Sequence, residues 1–137
     1  MKKVTPFLMF EGNAEKAMNY YTSLIEDSEI TSITRYGANG PGDEGTVMEA
    51  TFSLKGQEFM CIDSYVKHKF TFTPSFSIFL TCESEEEMDR LYEKLSDDGE
   101  ILMPLDDYGF SQKFAWIADQ FGVSWQINLP NKQEVHG

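Results

Sequence analysis

Apolar residues recur along the chain in two rhythms, a two-residue alternation and a three-to-four-residue stripe, and the order of the rhythms repeats. Residues 4–10 form an apolar run ending Phe7-Leu8-Met9-Phe10 and bounded by Glu11-Gly12-Asn13, which predicts a buried strand. Asn13 is a residue type favoured at helix N-caps, and Ala14, Ala17, Met18, Tyr21, Leu24 and Ile25 follow at helical spacing, predicting a helix over 13–27. Strands are expected over 29–36, 46–54 and 57–63, the last two as a hairpin around Lys55-Gly56, with a glycine-rich break from Gly37 to Gly42 before them. After residues 64–74 the order restarts. A strand over 75–82 leads to a helix opened by the capping-box pair Ser84 and Glu87, striped by Met88, Leu91, Tyr92 and Leu95, and ended by Asp97-Asp98-Gly99. Strands over 101–105, 112–118 and 123–129 complete it. Both halves read β-α-β-β-β, offset by about 70 residues, with Phe10 falling on Leu80, Met18 on Met88 and Ile25 on Leu95. The expected organisation is one domain over 1–137: a first module over 1–63, a connector over 64–74, a second module over 75–130 and a tail over 131–137.

Composition narrows the partners. The chain has 137 residues, is 41% hydrophobic and 14% aromatic, and is too apolar for a disordered acidic tail. Its net charge of −12 repels phosphate backbones and anionic membrane surfaces, and no run of Lys or Arg offsets it, so neither nucleic acid nor membrane is expected as a partner. The stretch 83–100 holds nine acids against Arg90 and Lys94 and reads as a solvated, solubilising helix face. Cys61 and Cys82 lie in apolar strand-like stretches and read as buried thiols. Met1-Lys2-Lys3 leads into only seven mostly apolar residues before Glu11, short of a secretory leader, so a cytoplasmic location is expected.

Three segments carry a family resemblance. They are Pro6-Phe7-Leu8-Met9-Phe10-Glu11-Gly12-Asn13-Ala14-Glu15-Lys16-Ala17 with Tyr20-Tyr21, then Ser111-Gln112-Lys113-Phe114-Ala115-Trp116, and Asp119-Gln120-Phe121-Gly122-Val123-Ser124-Trp125-Gln126-Ile127. With the duplicated β-α-β-β-β order, they resemble the glyoxalase/bleomycin resistance/dioxygenase superfamily, the vicinal-oxygen-chelate fold. The nearest likeness is to its PhnB-like branch, labelled 3-demethylubiquinone-9 3-methyltransferase-like. The resemblance implies an α+β fold in which two βαβββ modules pair into a curved mixed sheet around a cavity. It also implies a homodimer and a small-molecule ligand. One fold hosts many chemistries, so the residues have to decide the activity.

Metal-dependent members of that superfamily place four ligands, mostly His and Glu, at positions that the resemblance carries onto Thr5, Met60, Ser75 and Gln126. Two hydroxyls, a thioether and a carboxamide suit zinc, nickel or iron poorly, and a one-residue shift to Pro6, Cys61, Phe76 and Trp125 or Ile127 is no better. No metal and no cofactor is therefore expected. The Gly37–Gly45 loop lacks the Gly-Lys-Ser/Thr ending of a phosphate loop, and Gly-x-Gly-x-x-Gly does not follow the first strand, so methyltransferase activity is not expected either.

Strand alternation nominates the side chains facing away from the helices. These include Glu49, Ser75, Ser77, Phe79, Phe114, Trp116, Ser124, Gln126 and Asn128, a set half aromatic and half small and polar, as small-molecule sites are. Thr5 and Met60 join them as cavity residues. Glu49 is the acid of the set; burial would raise its pKa and suit it to general-base work, whereas an edge carboxylate facing water would do nothing. Trp116 reads as a stacking platform or as plain core, and His68 as a solvated loop residue or a lid. Two other readings stay open: a metal-dependent lyase, isomerase or dioxygenase using a shifted set around Glu49, Glu58 or Gln126, and a resistance protein that sequesters a cationic drug.

Overall fold

The computed structural model describes residues 1–131; apart from Asn131, the expected tail with His136 lies outside them. The chain divides into two compact units, Met1–Lys69 and Phe70–Gly137. The first holds β1 (Phe7–Phe10), α1 (Ala14–Leu24), β2 (Ser28–Arg35), β3 (Val47–Leu54) and β4 (Gln57–Asp63). The second holds β5 (Ser77–Thr81), α2 (Glu85–Ser96), β6 (Glu100–Asp106), β7 (Lys113–Ala118) and β8 (Ser124–Leu129). The fold is α+β. Each unit builds one four-stranded sheet, ordered β1-β4-β3-β2 and β5-β8-β7-β6, in which the first strand of the unit pairs parallel to its last. The other pairings are antiparallel.

One helix covers one face of each sheet. In the first unit Ala17, Met18 and Tyr21 of α1 are fully buried with Ala50, Phe52 and Cys61, and the Phe52 and Phe59 rings stack at 5.2 Å. In the second, Met88 and Leu95 of α2 are fully buried, as are Ala115, Ile117, Trp125 and Ile127 in the strands α2 contacts. Helical spacing on one partner and strand alternation on the other bring these sets face to face. The Lys55-Gly56 turn has φ of 49° and 88°, the left-handed pair that a two-residue hairpin needs. Gly99 follows α2 because a Cβ there would lie 2.4 Å from the Ala118 carbonyl oxygen.

The caps differ between the helices. The Ser84 hydroxyl accepts from the Glu87 N–H at 3.2 Å, the first half of the expected capping box, while the Glu87 carboxylate reaches one residue past the cap and accepts from the Glu83 N–H at 2.9 Å. Ser84→Ala is expected to cost about 1 kcal/mol in urea unfolding, with an unchanged m-value. Asn13, by contrast, makes no side-chain cap bond. Asp63, from the far end of β4, accepts instead from the N–H groups of Gly12 at 2.7 Å and Ala14 at 3.0 Å. A long-range carboxylate thus replaces the local cap that the sequence suggested.

Two elements depart from simple alternation. Phe76, which strand alternation over 75–82 would place on the helix side, is 63% exposed, because the chain is still in the turn closed by the Phe76 N–H on the Thr73 carbonyl and β5 starts only at Ser77. In β3 a register shift against β2 turns Val47 inward and leaves Met48 exposed, the reverse of what strict alternation from Ala50, Phe52 and Leu54 would give at that end of the strand. Helix α1 ends at Leu24, with Ile25 already extended, short of the expected 27.

Candidate ligand-binding face

Each sheet has a face that its own helix does not cover, and the second one gathers the polar residues that alternation nominated. Register sets Ser77 opposite Ser124, Phe79 opposite Gln126, and Trp116 opposite the other side of Gln126. Their polar atoms join into one network across β5, β8 and β7. The Trp116 indole N–H donates to the Ser124 hydroxyl at 2.8 Å, the Ser124 and Ser77 hydroxyls bond at 2.7 Å, and the Gln126 amide N–H donates to Ser77 at 3.2 Å. Ser124 is only 1% exposed, whereas Ser77, Trp116 and Gln126 are half-buried. Buried hydroxyls are costly unless paired, and here each pairing crosses to another strand, so the network fixes the orientation of the half-buried members.

An aromatic margin adjoins it. Phe114 is buried and meets Phe110 edge-on at 5.0 Å and Tyr108 at 6.2 Å, while the Ser111 hydroxyl donates to the Asn128 carboxamide oxygen and ties the β6–β7 loop to β8. Phe79 and Phe110 are 55% and 53% exposed. The loop aromatics Tyr108 and Phe110 escaped the sequence reading because they lie outside any strand; only their density in 108–116 signals them.

The remaining nominees are placed as follows. Met60 is half-buried in β4, between Phe7 of β1 and Thr51 of β3. Thr5 precedes β1 and is half-buried. Ser75 precedes β5, is exposed, and bonds the Thr73 hydroxyl at 2.8 Å. Glu49 is exposed on an inner strand, opposite Thr34; the burial invoked for a raised pKa is not there, nor is the strand an edge. His68 is half-buried in the connector, its Nε2 3.1 Å from the Ser64 hydroxyl. Burial pushes the Cys61 and Cys82 thiols up to about 12, which leaves them unsuited to nucleophilic work.

The metal expected of the fold does not fit these donors. Ser77, not Ser75, stands beside Gln126, and the Gln126 amide is turned to a hydroxyl as donor. Among the described residues no three His, Cys, Asp or Glu side chains come together as a metal cluster. A methyl donor fares no better at the β1–α1 turn. The N–H groups of Gly12 and Ala14, which would receive an anionic group there, are taken by Asp63, whose other oxygen accepts from Val47 at 2.9 Å. That carboxylate floors a cleft of about 160 Å³ lined by Glu11, Pro41, Asp43, Tyr65 and Lys67, among others.

Two mixed sheets of the same β-α-β-β-β order, each with one helix, define a protein of the glyoxalase/bleomycin resistance/dioxygenase fold. A glyoxylase/bleomycin resistance protein/dioxygenase domain from Frankia sp. EAN1pec shares that fold, with a TM-score of 0.67 at 14% identity over 100% of this chain and 99% of that one. The family is narrower. Residues 2–128 match the model of the 3-demethylubiquinone-9 3-methyltransferase family, and the chain belongs to it. The PhnB protein of Bacillus cereus is 65% identical over 93% of this chain and 99% of that one, with a TM-score of 0.91. Protein YjdN of Escherichia coli K12 is 24% identical over 95% of this chain and 97% of its own length. No helix among the described residues is long and apolar enough to cross a membrane.

Proposed function

We propose that this chain is a metal-free small-molecule-binding protein that holds its ligand on the uncovered face of the second sheet. It acts in the cytoplasm as a homodimer, without a nucleic-acid or membrane partner. The observation that carries the ligand reading is the Ser77–Ser124–Trp116–Gln126 network, anchored by a 1% exposed hydroxyl and flanked by exposed aromatic rings. A sheet face meant only for packing would gain more from apolar side chains at Ser77, Ser124 and Gln126. Fixed polar groups within an aromatic surround are what small-molecule sites use to orient a ligand. The donor chemistry at Thr5, Met60, Ser75 and Gln126 supports the metal-free reading. Apolar exposure at Phe76 and along β5, one of the two edge strands of its sheet, supports self-association.

Purified, untagged protein is expected to hold zinc, nickel and iron far below one per chain by elemental analysis; near-stoichiometric metal overturns the metal-free reading. Titration with aromatic fragments, followed by the Trp116 indole N–H resonance, is expected to shift that signal and raise the melting temperature by mass action. A library that moves neither overturns the ligand reading.

A further inference from the structure

We infer that the ligand of this face presents a hydrogen-bond acceptor, a carbonyl oxygen on a neutral planar body, and that the Ser77 hydroxyl is the group that meets it. The inference rests on the proposed binding role of the face and assigns the chemical class of its ligand.

The order of protons in the network carries the argument. The Trp116 indole nitrogen can only donate, so the Ser124 oxygen accepts from it. Ser124 is 1% exposed, and its own hydrogen has one available acceptor among its bonded partners, the Ser77 oxygen at 2.7 Å. The opposite direction would leave the Ser124 hydrogen buried without an acceptor, at a cost of about 1–3 kcal/mol. Ser77 therefore accepts from Ser124, and it accepts from the Gln126 amide as well. Its oxygen is saturated as an acceptor while its hydrogen is committed only to the Pro74 carbonyl at 3.5 Å, the outer limit of a hydrogen bond. Half-buried and held by two incoming bonds, Ser77 is a donor in waiting.

Charge and shape restrict the partner further. None of the side chains that alternation places on this face of β5, β7 and β8 is charged. Lys113 lies on the opposite side of β7 with its ammonium 3.5 Å from Glu85 and 3.7 Å from Asp89 of α2. Asp106, across from Phe114 in β6, would repel an anion. A carboxylate or phosphate would thus lose its hydration without a compensating cation, whereas a neutral carbonyl would not. Phe79, Trp116 and the ring cluster around Phe114 offer π faces and edges to a planar body.

Three naphthalenes test this: 2-acetylnaphthalene, which accepts; 2-ethylnaphthalene, which does neither; and 2-naphthol, which donates. Affinities are read from the Trp116 indole resonance. Wild-type protein is expected to bind the acetyl compound about five- to tenfold more tightly than the ethyl compound, as one hydrogen bond allows. Ser77→Ala is expected to bring that ratio close to one with the ethyl affinity kept, and Ser77→Thr to preserve it. Equal affinities in the wild type, a preference for 2-naphthol, or a preference that survives Ser77→Ala overturns the inference while leaving the binding face standing. If none of the three moves the Trp116 signal, the proposed function falls with it. The wild-type comparison decides the matter even where Ser77→Ala does not fold.

Discussion

Asp63→Ala is expected to destabilise the protein by about 4 kcal/mol, as measured by urea unfolding, the largest single-residue loss outside the apolar core. The carboxylate is 3% exposed and accepts three backbone N–H groups: Gly12 at 2.7 Å, Ala14 at 3.0 Å and Val47 at 2.9 Å. Each is a hydrogen bond to an ionised group, worth roughly 1.5–3 kcal/mol. Ala14 and Val47 are fully buried, so water could not readily replace the lost acceptor. Gly12 lies in the β1–α1 turn, Ala14 opens α1, Val47 opens β3 and Asp63 itself ends β4, so one side chain ties α1, β3 and β4 of the first unit together. Asp63→Asn is expected to lose about half as much, since its amide keeps one acceptor oxygen but turns an N–H toward a donor. Amide exchange at Gly12, Ala14 and Val47 should accelerate first in both variants. A loss below about 1 kcal/mol for Asp63→Ala would mean that these N–H groups find other acceptors when the carboxylate is gone.

Asp63 also shows what a linear reading captures and what it misses. The duplication, both helix stripes, the capping box and the Lys55-Gly56 hairpin were legible because each is set by residues close together in sequence. The bulge that exposes Met48 was not, because it arises from the pairing of β3 with β2 rather than from β3 alone. Asn13 looked like a cap by residue type, yet the cap comes from a carboxylate about fifty residues away, which no local rule can locate. Asp119 is a half-way case. It falls in the Asp-x-x-Gly turn that the sequence marks, and it accepts from the Phe121 and Val123 N–H groups as such turns do. Its second oxygen accepts the buried Trp125 indole at 2.8 Å, a tertiary bond that the motif does not announce.

The candidate face was legible by parity but not by register. Even spacing along β5, β7 and β8 put Ser77, Phe114, Trp116, Ser124 and Gln126 on one side, and the structure keeps them there. The family resemblance groups Ser75 with Gln126, whereas the parallel pairing sets Phe79 opposite Gln126 and Ser77 opposite Ser124, and the Gln126 amide reaches the Ser77 hydroxyl diagonally at 3.2 Å. A slip by an even number of residues preserves the face and moves the neighbour. Of the two readings of Glu49, the water-facing carboxylate holds, though on an inner strand rather than an edge. Alternation points it away from α1, and the strand beside it leaves it in water.

Native protein at pH 8 is expected to leave both thiols unlabelled by a disulfide reagent over the time in which urea-unfolded protein releases two equivalents of the chromophore. Cys61 and Cys82 are 0% and 2% exposed, and burial pushes both thiols up from 9.0 to about 12. The carboxylate of Asp63 adds to the effect at Cys61; at Cys82 Glu87 adds to it while Arg90 opposes. A shift of that size lowers the thiolate population at pH 8 by roughly a thousandfold, and the thiolate is the reacting species. Labelling should therefore follow opening of the structure and accelerate with urea. The same shift ties stability to alkaline pH. A folded-state pKa above the unfolded one means that the unfolded chain releases protons first, so the contribution is whole below pH 9 and is lost as pH rises from about 9 towards 12. Each thiol should steepen the fall by up to about 1.4 kcal/mol per pH unit, and Cys61→Ala with Cys82→Ala should flatten it. One rapid equivalent from native protein at pH 8 would instead reveal an accessible thiolate and reopen the residue that carries it, Cys61 in the first unit or Cys82 in the second, to nucleophilic chemistry.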